Sequence, residues 1–512
     1  VFVGCGAGDY QRAVPEEELS AYGLMGGSPS ILAARISYFL NLQGPCLSIE
    51  TACSSSLVAI AEACDSLVLG SSDLALAGGV YVMSGPAMHI MTSQSGMLSR
   101  DGRCFAFDQR ANGFVPGEGV GVVVLKRLAD ARRDGDMVLG VIRGWGVNQD
   151  GKTNGITAPN AESQTRLQEE VYSRFGIDPA GIQLVEAHGT GTKLGDPIEV
   201  EGLKASFGKY TRNRGYCALG SVKSNIGHCM TAAGISALVK VLLALKHRRL
   251  PPTIHCEKLN EHIDLEDSPF YVNTELRDWE APPTGPRQAA ISSFGFSGTN
   301  AHLVISDAPS MDNVEVTQRP AGSPEAVLLS ARTPDRLRQK AADLLAFLLE
   351  AEQTPDLGRL AHTLQTGREA MEERLGFVVV SVAGLCEKLE AFLSGSDAAD
   401  TFRGQARRRQ EDVSLFGSDK DMQKVVERWM AERKFPKLLA LWVKGLELDW
   451  ARLYGGARPA RMDLPKYPFA KNRYWREGAG RVGGGLAGSG MIHPLLHLNT
   501  STMKGPAFAS VF

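Results

Sequence analysis

Up to about residue 307 the sequence alternates short apolar runs with longer stretches of helical period, and this alternation restricts the chain to a layered α/β fold. Leu74 to Ala77, Val120 to Leu125 and Leu184 to Ala187 are unbroken apolar runs of strand length, as expected of strands buried on both faces. Leu57 to Leu69 and Ile235 to Leu245 are predicted helices. Between Asp307 and Glu325 the sequence turns to Pro, Ser, Asn and Gly without periodicity, which predicts a domain boundary.

Beyond that boundary the character changes. Thr333 to Ala351 and Val425 to Trp442 carry helix-period apolar positions among many charges, and Phe377 to Val382 is rich in strand formers. A smaller α+β domain is therefore expected over 308–463. The prolines and aromatics of 464–477 exclude a regular helix and predict extended packing along another surface. Residues 478–490 hold seven glycines and read as a flexible linker, after which 491–512, from His493-Pro494-Leu495-Leu496, begins something new. Several domains suit the length of 512 residues, and a hydrophobic fraction of 43% suffices for sizeable cores.

A net charge of −2 gives no global basic field for nucleic acid or an anionic membrane, so an acidic partner would need a local patch. Arg407-Arg408-Arg409 is one candidate, although a solvated surface loop is the stronger reading of such a run. The longest apolar stretch, Ile235 to Leu245, contains Lys240 and is too short to span a bilayer. Nine scattered cysteines without a C-x-x-C pair fit neither a disulfide scaffold nor a zinc site. They suit a reducing, cytoplasmic compartment. Val1-Phe2-Val3-Gly4 reads as a strand already under way, so the chain is expected to be cut from a longer one.

Four segments carry chemistry. Glu50-Thr51-Ala52-Cys53-Ser54-Ser55-Ser56-Leu57 places Cys53 at a strand-to-helix turn, where free N–H groups and the helix dipole favour a thiolate. An inert buried cysteine would look the same in isolation. Glu186-Ala187-His188-Gly189-Thr190-Gly191-Thr192 and Lys223-Ser224-Asn225-Ile226-Gly227-His228 each set a histidine in a Gly-bearing turn after an apolar run, where a strand end presents side chains to a cleft. A structural histidine is the alternative for each. Ser293-Phe294-Gly295-Phe296-Ser297-Gly298-Thr299-Asn300 is a Gly-rich turn able to offer backbone N–H to an oxyanion.

In this order, across nearly all of 1–307, the four segments resemble the β-ketoacyl synthases of the thiolase superfamily, specifically those of bacterial modular polyketide synthases. The resemblance implies a five-layer αβαβα sandwich, lacking here an N-terminal strand–helix portion, and a homodimer paired through the strand near Cys46 to Glu50. It implies that Cys53 takes an acyl chain as a thioester. His188 and His228 would serve decarboxylation of a malonyl-type extender, and Lys223 would organise the site and orient His228. Backbone N–H groups of Cys53 and Phe296 would form the oxyanion hole. Thr190 and Thr192 would bond the pantetheine arm, with simple turn capping as their alternative. No metal and no bound cofactor are expected, since substrates arrive on the phosphopantetheine of an acyl carrier protein. Cys-His-His distinguishes decarboxylative condensation from a thiolase, which would use a second Cys, and from the chalcone-synthase type, with Asn in place of His228. Ser297 stands where Gly is commoner in the family, a small departure if its φ is ordinary.

Leu329-Ser330-Ala331-Arg332-Thr333, Leu364-Gln365-Thr366-Gly367-Arg368-Glu369 and Tyr467-Pro468-Phe469 resemble the flanking subdomain of polyketide synthases whose modules lack a built-in acyltransferase. An integrated one needs roughly 250 to 300 residues and a Gly-x-Ser-x-Gly elbow. Residues 308–475 offer neither, so extender loading by a separate acyltransferase is expected. His493 to Leu496, with Asn499-Thr500-Ser501, resembles the opening of a dehydratase domain, and other modules of the same synthase are implied partners. Two other functions compete with condensation: a non-condensing acyl-relay or carrier-docking module, and a Cys–His hydrolase. The second leaves His228 and Lys223 without a role.

Overall fold

The computed structural model describes residues 1–10, 21–283, 285–308, 322–396, 398–406, 420–455, 459–474, 498–499 and 508–509. Arg407-Arg408-Arg409, the glycine-rich 478–490 and His493 to Leu496 lie outside the described residues. The chain forms two compact units, one of Val1–Lys126, Gly140–Asp307 and Tyr474–Phe512, the other of Arg127–Leu139 and Ala308–Arg473.

The first unit is built on two sheets. One has the strand order Leu47–Ile49, Phe2–Gly4, Leu74–Tyr81, Gly119–Lys126, the first three parallel and the last antiparallel. The other runs Val141–Gln149, Thr299–Ser306, Gln288–Phe294, Leu184–Glu186, Cys217–Gly220, Phe270–Val272, with its last four strands parallel. Helices Ser55–Val68 and Ala233–His247 lie between the sheets and share one apolar core with both. Helix Pro29–Phe39 packs on the outer face of the first sheet, and Ala161–Phe175 and Gly195–Phe207 on that of the second. This is the five-layer αβαβα arrangement expected from the sequence.

The unbroken apolar runs have a direct cause in this layering. Successive strand residues point to opposite faces, and here both faces are cores. Leu184, Ala218, Ala289 and Ile291 enter the central core, while Val185, Leu219 and Ala290 enter the outer one. Within the central layer, Leu57 and Ile60 are almost wholly buried, each worth roughly 1.5–3 kcal/mol. Neighbours approach the helix Ser55–Val68 so closely that only glycine fits. A Cβ on Gly4 would lie 2.4 Å from the Ser56 nitrogen, and one on Gly234 would lie 2.9 Å from that of Leu57. Val120 to Leu125 is the exception: expected to be buried on both faces, it belongs to the edge strand Gly119–Lys126, which leaves Val120, Val122 and Val124 exposed on alternate positions.

The apolar stretch Ile235 to Leu245 lies within a longer segment, Met230–His247. By length and composition that segment could cross a membrane, yet Ile235, Leu238, Val241 and Leu245 are buried in the core between the sheets.

The second unit has an antiparallel sheet ordered Glu325–Ala331, Glu373–Val379, Thr401–Gln405. Helices Pro334–Glu350, Leu357–Thr366 and Val382–Ser394 share a core with Val327, Leu329, Leu375 and Phe377. Lys420–Ala431 and Phe435–Trp442 share another with Ala326 and Leu328. The helical stretch expected over Val425 to Trp442 is thus two helices, broken where Arg433 takes φ 51° and Pro436 opens the next. The apolar run Phe377 to Val382 also divides. Its strand ends at Val379, and the Ser381 hydroxyl accepts from Gly384 N to cap the helix that begins at Val382. Residues 459–474 form no helix or strand. Leu464 is buried in the unit's core, and the Tyr467 hydroxyl accepts from Arg332 N. Arg461 joins the segment Arg127–Leu139 to this unit through an ion pair with Asp136 at 2.6 Å.

Candidate active site

The turns that follow strands of both sheets converge on one place. After strand Leu47–Ile49 the chain reverses through Ala52, whose φ of 56° is left-handed, into a 3₁₀ turn Ala52–Ser54 and then the helix Ser55–Val68. Small hydroxyl residues let this tight turn satisfy itself. Ser54 donates to Thr51 O at 2.8 Å, Ser55 donates to Ala52 O at 2.6 Å, and Thr51 N donates back to the Ser55 hydroxyl at 2.8 Å.

Cys53 is buried, and the backbone N–H groups of Phe296 and of Cys53 itself act on its thiol. The two proposed oxyanion donors therefore already face the thiol. Burial pushes the thiol up, and this outweighs Lys223 and the two N–H groups, all of which act to lower it. The thiolate expected from the helix terminus is not the resting state, because enclosure by the layers is the larger effect. In the turn of Phe296 the left-handed residue is Gly298, at φ 85°, and not Ser297.

His188 follows strand Leu184–Glu186, and His228 follows the short helix Lys223–Ile226 after strand Cys217–Gly220. A nitrogen from each ring and the Cys53 sulfur all lie within 4.8 Å of one another. The rings meet edge to face at 5.4 Å, and Phe114 stands against His228 at 5.1 Å. Both imidazoles are held well below their ordinary pKa, first by burial and then by the Lys223 cation, so both are neutral. Nδ1 of each ring is buried without a hydrogen-bond partner.

Lys223 is almost wholly buried, and burial lowers its pKa against the opposing pull of Glu186, Glu199 and Cys53. Thr190 and Thr192 lie with their hydroxyls 3.3 Å apart, and that of Thr192 accepts from Gly195 N at 3.2 Å. Thr192 thus caps the start of the following helix, whatever else it binds.

Further charged residues join this site that the sequence motifs do not single out. Glu199 accepts from His188 N at 2.7 Å and Gly189 N at 2.8 Å, and burial pushes its pKa up to about 7. Asp196 accepts from Phe107 N at 2.8 Å and Gly191 N at 3.1 Å, and burial raises it to about 6. Glu186 accepts from Val222 N at 2.6 Å and pairs with Lys240 at 2.5 Å. These groups fix the two histidine turns. Asp196 and Glu199 open a helix directly after the Gly-Thr-Gly-Thr turn, and acids in that position were the available signal.

The donor set Cys53, His188 and His228 is of a type that can also ligate a metal. Its arrangement equally provides a nucleophile, two neutral N–H donors and an oxyanion pocket around one point.

Known proteins resemble this chain over most of its length. Residues 1–131 match the family "Beta-ketoacyl synthase, N-terminal domain", residues 139–257 its C-terminal domain, and residues 328–396 the "RhiE-like, KS-MAT linker domain". Polyketide synthase PksL of Bacillus subtilis is 47% identical over 88% of this chain, and PksN of the same organism 41% identical over 100%. The chain spans only 10% of the length of either protein. Among solved structures, the ketosynthase from module 6 of the bacillaene synthase of B. subtilis is 45% identical with a TM-score of 0.83, covering 92% of this chain and 81% of that one. An oxazolomycin ketosynthase domain from Streptomyces albus is 37% identical with a TM-score of 0.80, covering 94% and 79%.

Proposed function

The chain belongs to the ketosynthases of modular polyketide synthases, and from that premise we propose that it forms carbon–carbon bonds by decarboxylative condensation with Cys53 as nucleophile. One observation carries the assignment of roles: the Cys53 sulfur and one nitrogen of each of His188 and His228 lie within 4.8 Å of one another.

Cys53 attacks the thioester of an acyl chain carried on the pantetheine of an acyl carrier protein. The Cys53–acyl bond forms, the pantetheine–acyl bond breaks, and the thiol proton ends on the departing pantetheine sulfur. Lys223 and the two N–H groups favour the thiolate as it develops. Thr190 and Thr192 bond the pantetheine arm.

A malonyl-type extender then binds beside the acyl-enzyme. As its bond to the carboxylate breaks, carbon dioxide leaves and the electron pair becomes an enolate, whose oxygen accepts from His188 and His228. A buried nitrogen lacking a partner costs less as a bare acceptor than as an N–H, so unpartnered Nδ1 atoms favour the proton on Nε2. Two neutral Nε2–H donors are what the enolate oxygen needs. The enolate carbon attacks the Cys53 thioester, and the new oxyanion lies between the N–H groups of Cys53 and Phe296. Its collapse breaks the carbon–sulfur bond, frees Cys53 and leaves a β-ketoacyl chain on the carrier.

Residues 308–475 are too few for an integrated acyltransferase and carry no Gly-x-Ser-x-Gly elbow, which supports loading of the extender by a separate acyltransferase. Strand Leu47–Ile49 is an open sheet edge, which supports a homodimer paired through it. Unpaired cysteines fit a cytoplasmic setting.

The test is stepwise. Incubation with an acyl-pantetheine thioester should add the acyl mass at Cys53. Adding malonyl carrier protein should then release carbon dioxide and yield a β-ketoacyl carrier. His228→Ala should still be acylated yet form no product. Acylation of the unaltered chain without condensation would instead identify an acyl relay, and rapid loss of the acyl group to water a hydrolase.

A further inference from the structure

The second unit has a half-open cavity of about 310 Å³, near the lower end of the range of roughly 300–1,000 Å³ typical of small-molecule sites. Its lining residues, from Leu328 to Trp450, all belong to this unit and come from its sheet, its helices and the loops between them. Trp442, Trp450, Leu328, Leu364 and Leu448 supply apolar walls.

Two cations line it, Lys340 and Arg368. Lys340 is 5% exposed, donates to Ser330 O at 3.1 Å and lies over the Tyr467 ring at 5.8 Å. Arg368 is half-buried and donates to the carbonyl of its neighbour Gly367 at 2.8 Å. Neither forms an ion pair with a carboxylate among the described residues. Burial lowers the pKa of both, Lys340 to about 8, and Arg368 lowers Lys340 further. Asp463 pulls Arg368 back up, and Arg461 pushes it further down. Two like charges withdrawn from water toward one cavity are costly unless an anion joins them. A third donor has the same need: the Trp450 indole N–H is buried with no acceptor. The acids at the cavity, Glu369 and Glu447, are exposed, so they form a negative rim that disfavours a polyanion.

We propose that this cavity binds a small monocarboxylate with an apolar body, its anion held by Lys340 and Arg368 and its body lying against Trp442 and Trp450.

The full chain is titrated with sodium hexanoate and followed by tryptophan emission and melting temperature. Hexanol serves as the uncharged counterpart, and inorganic phosphate as an oxyanion without an apolar body. Hexanoate should give a saturable emission change and a rise in melting temperature. Binding should be at least tenfold weaker for hexanol and for phosphate, and in Lys340→Met and Arg368→Gln. Trp450→Phe should reduce the emission change. Without ligand, Lys340→Met should melt higher than the unaltered chain, since a buried cation has gone. Arg368→Gln, at a half-exposed position, keeps the question decidable if Lys340→Met does not fold. No saturable response, an equal response in Arg368→Gln, or phosphate binding as tightly as hexanoate would each overturn the proposal.

Discussion

Ser293 donates its hydroxyl to the carbonyl of Cys53 at 2.8 Å, joining the end of a second-sheet strand to the nucleophile's turn across 240 positions of sequence. The bond is buried and holds the thiol beside the Phe296 N–H. Ser293→Ala leaves that carbonyl without its donor, at a cost of about 1–3 kcal/mol. A lower denaturant midpoint and a several-fold slower acylation of Cys53 are expected. An unchanged acylation rate would mean that the turn is held by its own serines alone.

Lys223 is the buried cation that counters the effect of burial on Cys53. Alkylation of Cys53 by iodoacetamide, followed on the peptide by mass spectrometry, should climb with pH to beyond 9, the ordinary value for a thiol, because the thiol is raised in the fold. Lys223→Met should move that climb to still higher pH and slow the reaction at neutral pH. A rate that levels off near neutrality would contradict the burial argument.

Glu199 and Asp196 have pKa values of about 7 and about 6 in the fold, raised from 4.5 and 3.8. Between the unfolded and folded values the native state holds the extra proton, so stability from these groups is full below pH 3.8 and declines as pH rises to about 7. A tenfold change in a proton-binding constant is worth about 1.4 kcal/mol. Glu199→Gln removes one titration, so its denaturant midpoint should compare more favourably with the unaltered chain at pH 8 than at pH 5. An equal gap at both pH values would place Glu199 at its ordinary pKa.

The edge strand Leu47–Ile49 makes a sharper test of dimerisation. Leu47 N donates inward to Val1 O, and Ile49 O accepts inward from Cys5 N. By alternation the N–H and C=O of Ser48 face the open edge. Ser48→Pro removes the outward donor while sparing the inward bonds. Sedimentation should shift toward monomer, and a persistent dimer would locate the interface elsewhere.

Cys53, His188, His228 and the Phe296 turn were legible in the sequence because each sits in a short local motif at a strand end. The five layers were legible through apolar runs such as Leu184 to Ala187, which feeds two cores at once, whereas Val120 to Leu125 is an edge strand with one exposed face. Glu186, Glu199 and Lys240 were not, since a buried carboxylate's task depends on which turns converge on it. The resting thiol of Cys53 was hidden for the same reason: a helix terminus is local, but burial is a property of all the layers together. The break at Arg433 escaped notice because apolar periodicity runs on through Pro436.

Ala52 bears the left-handed φ that aims Cys53, and an alanine in that conformation costs roughly 1–2 kcal/mol that glycine would not. Such a position could be relaxed by a single substitution. An alanine there trades thermodynamic comfort for stiffness, since glycine would also admit the other backbone basins and let the sulfur wander from the two histidines. The turn behaves as a cocked spring rather than a hinge, and aiming precision is what it stores.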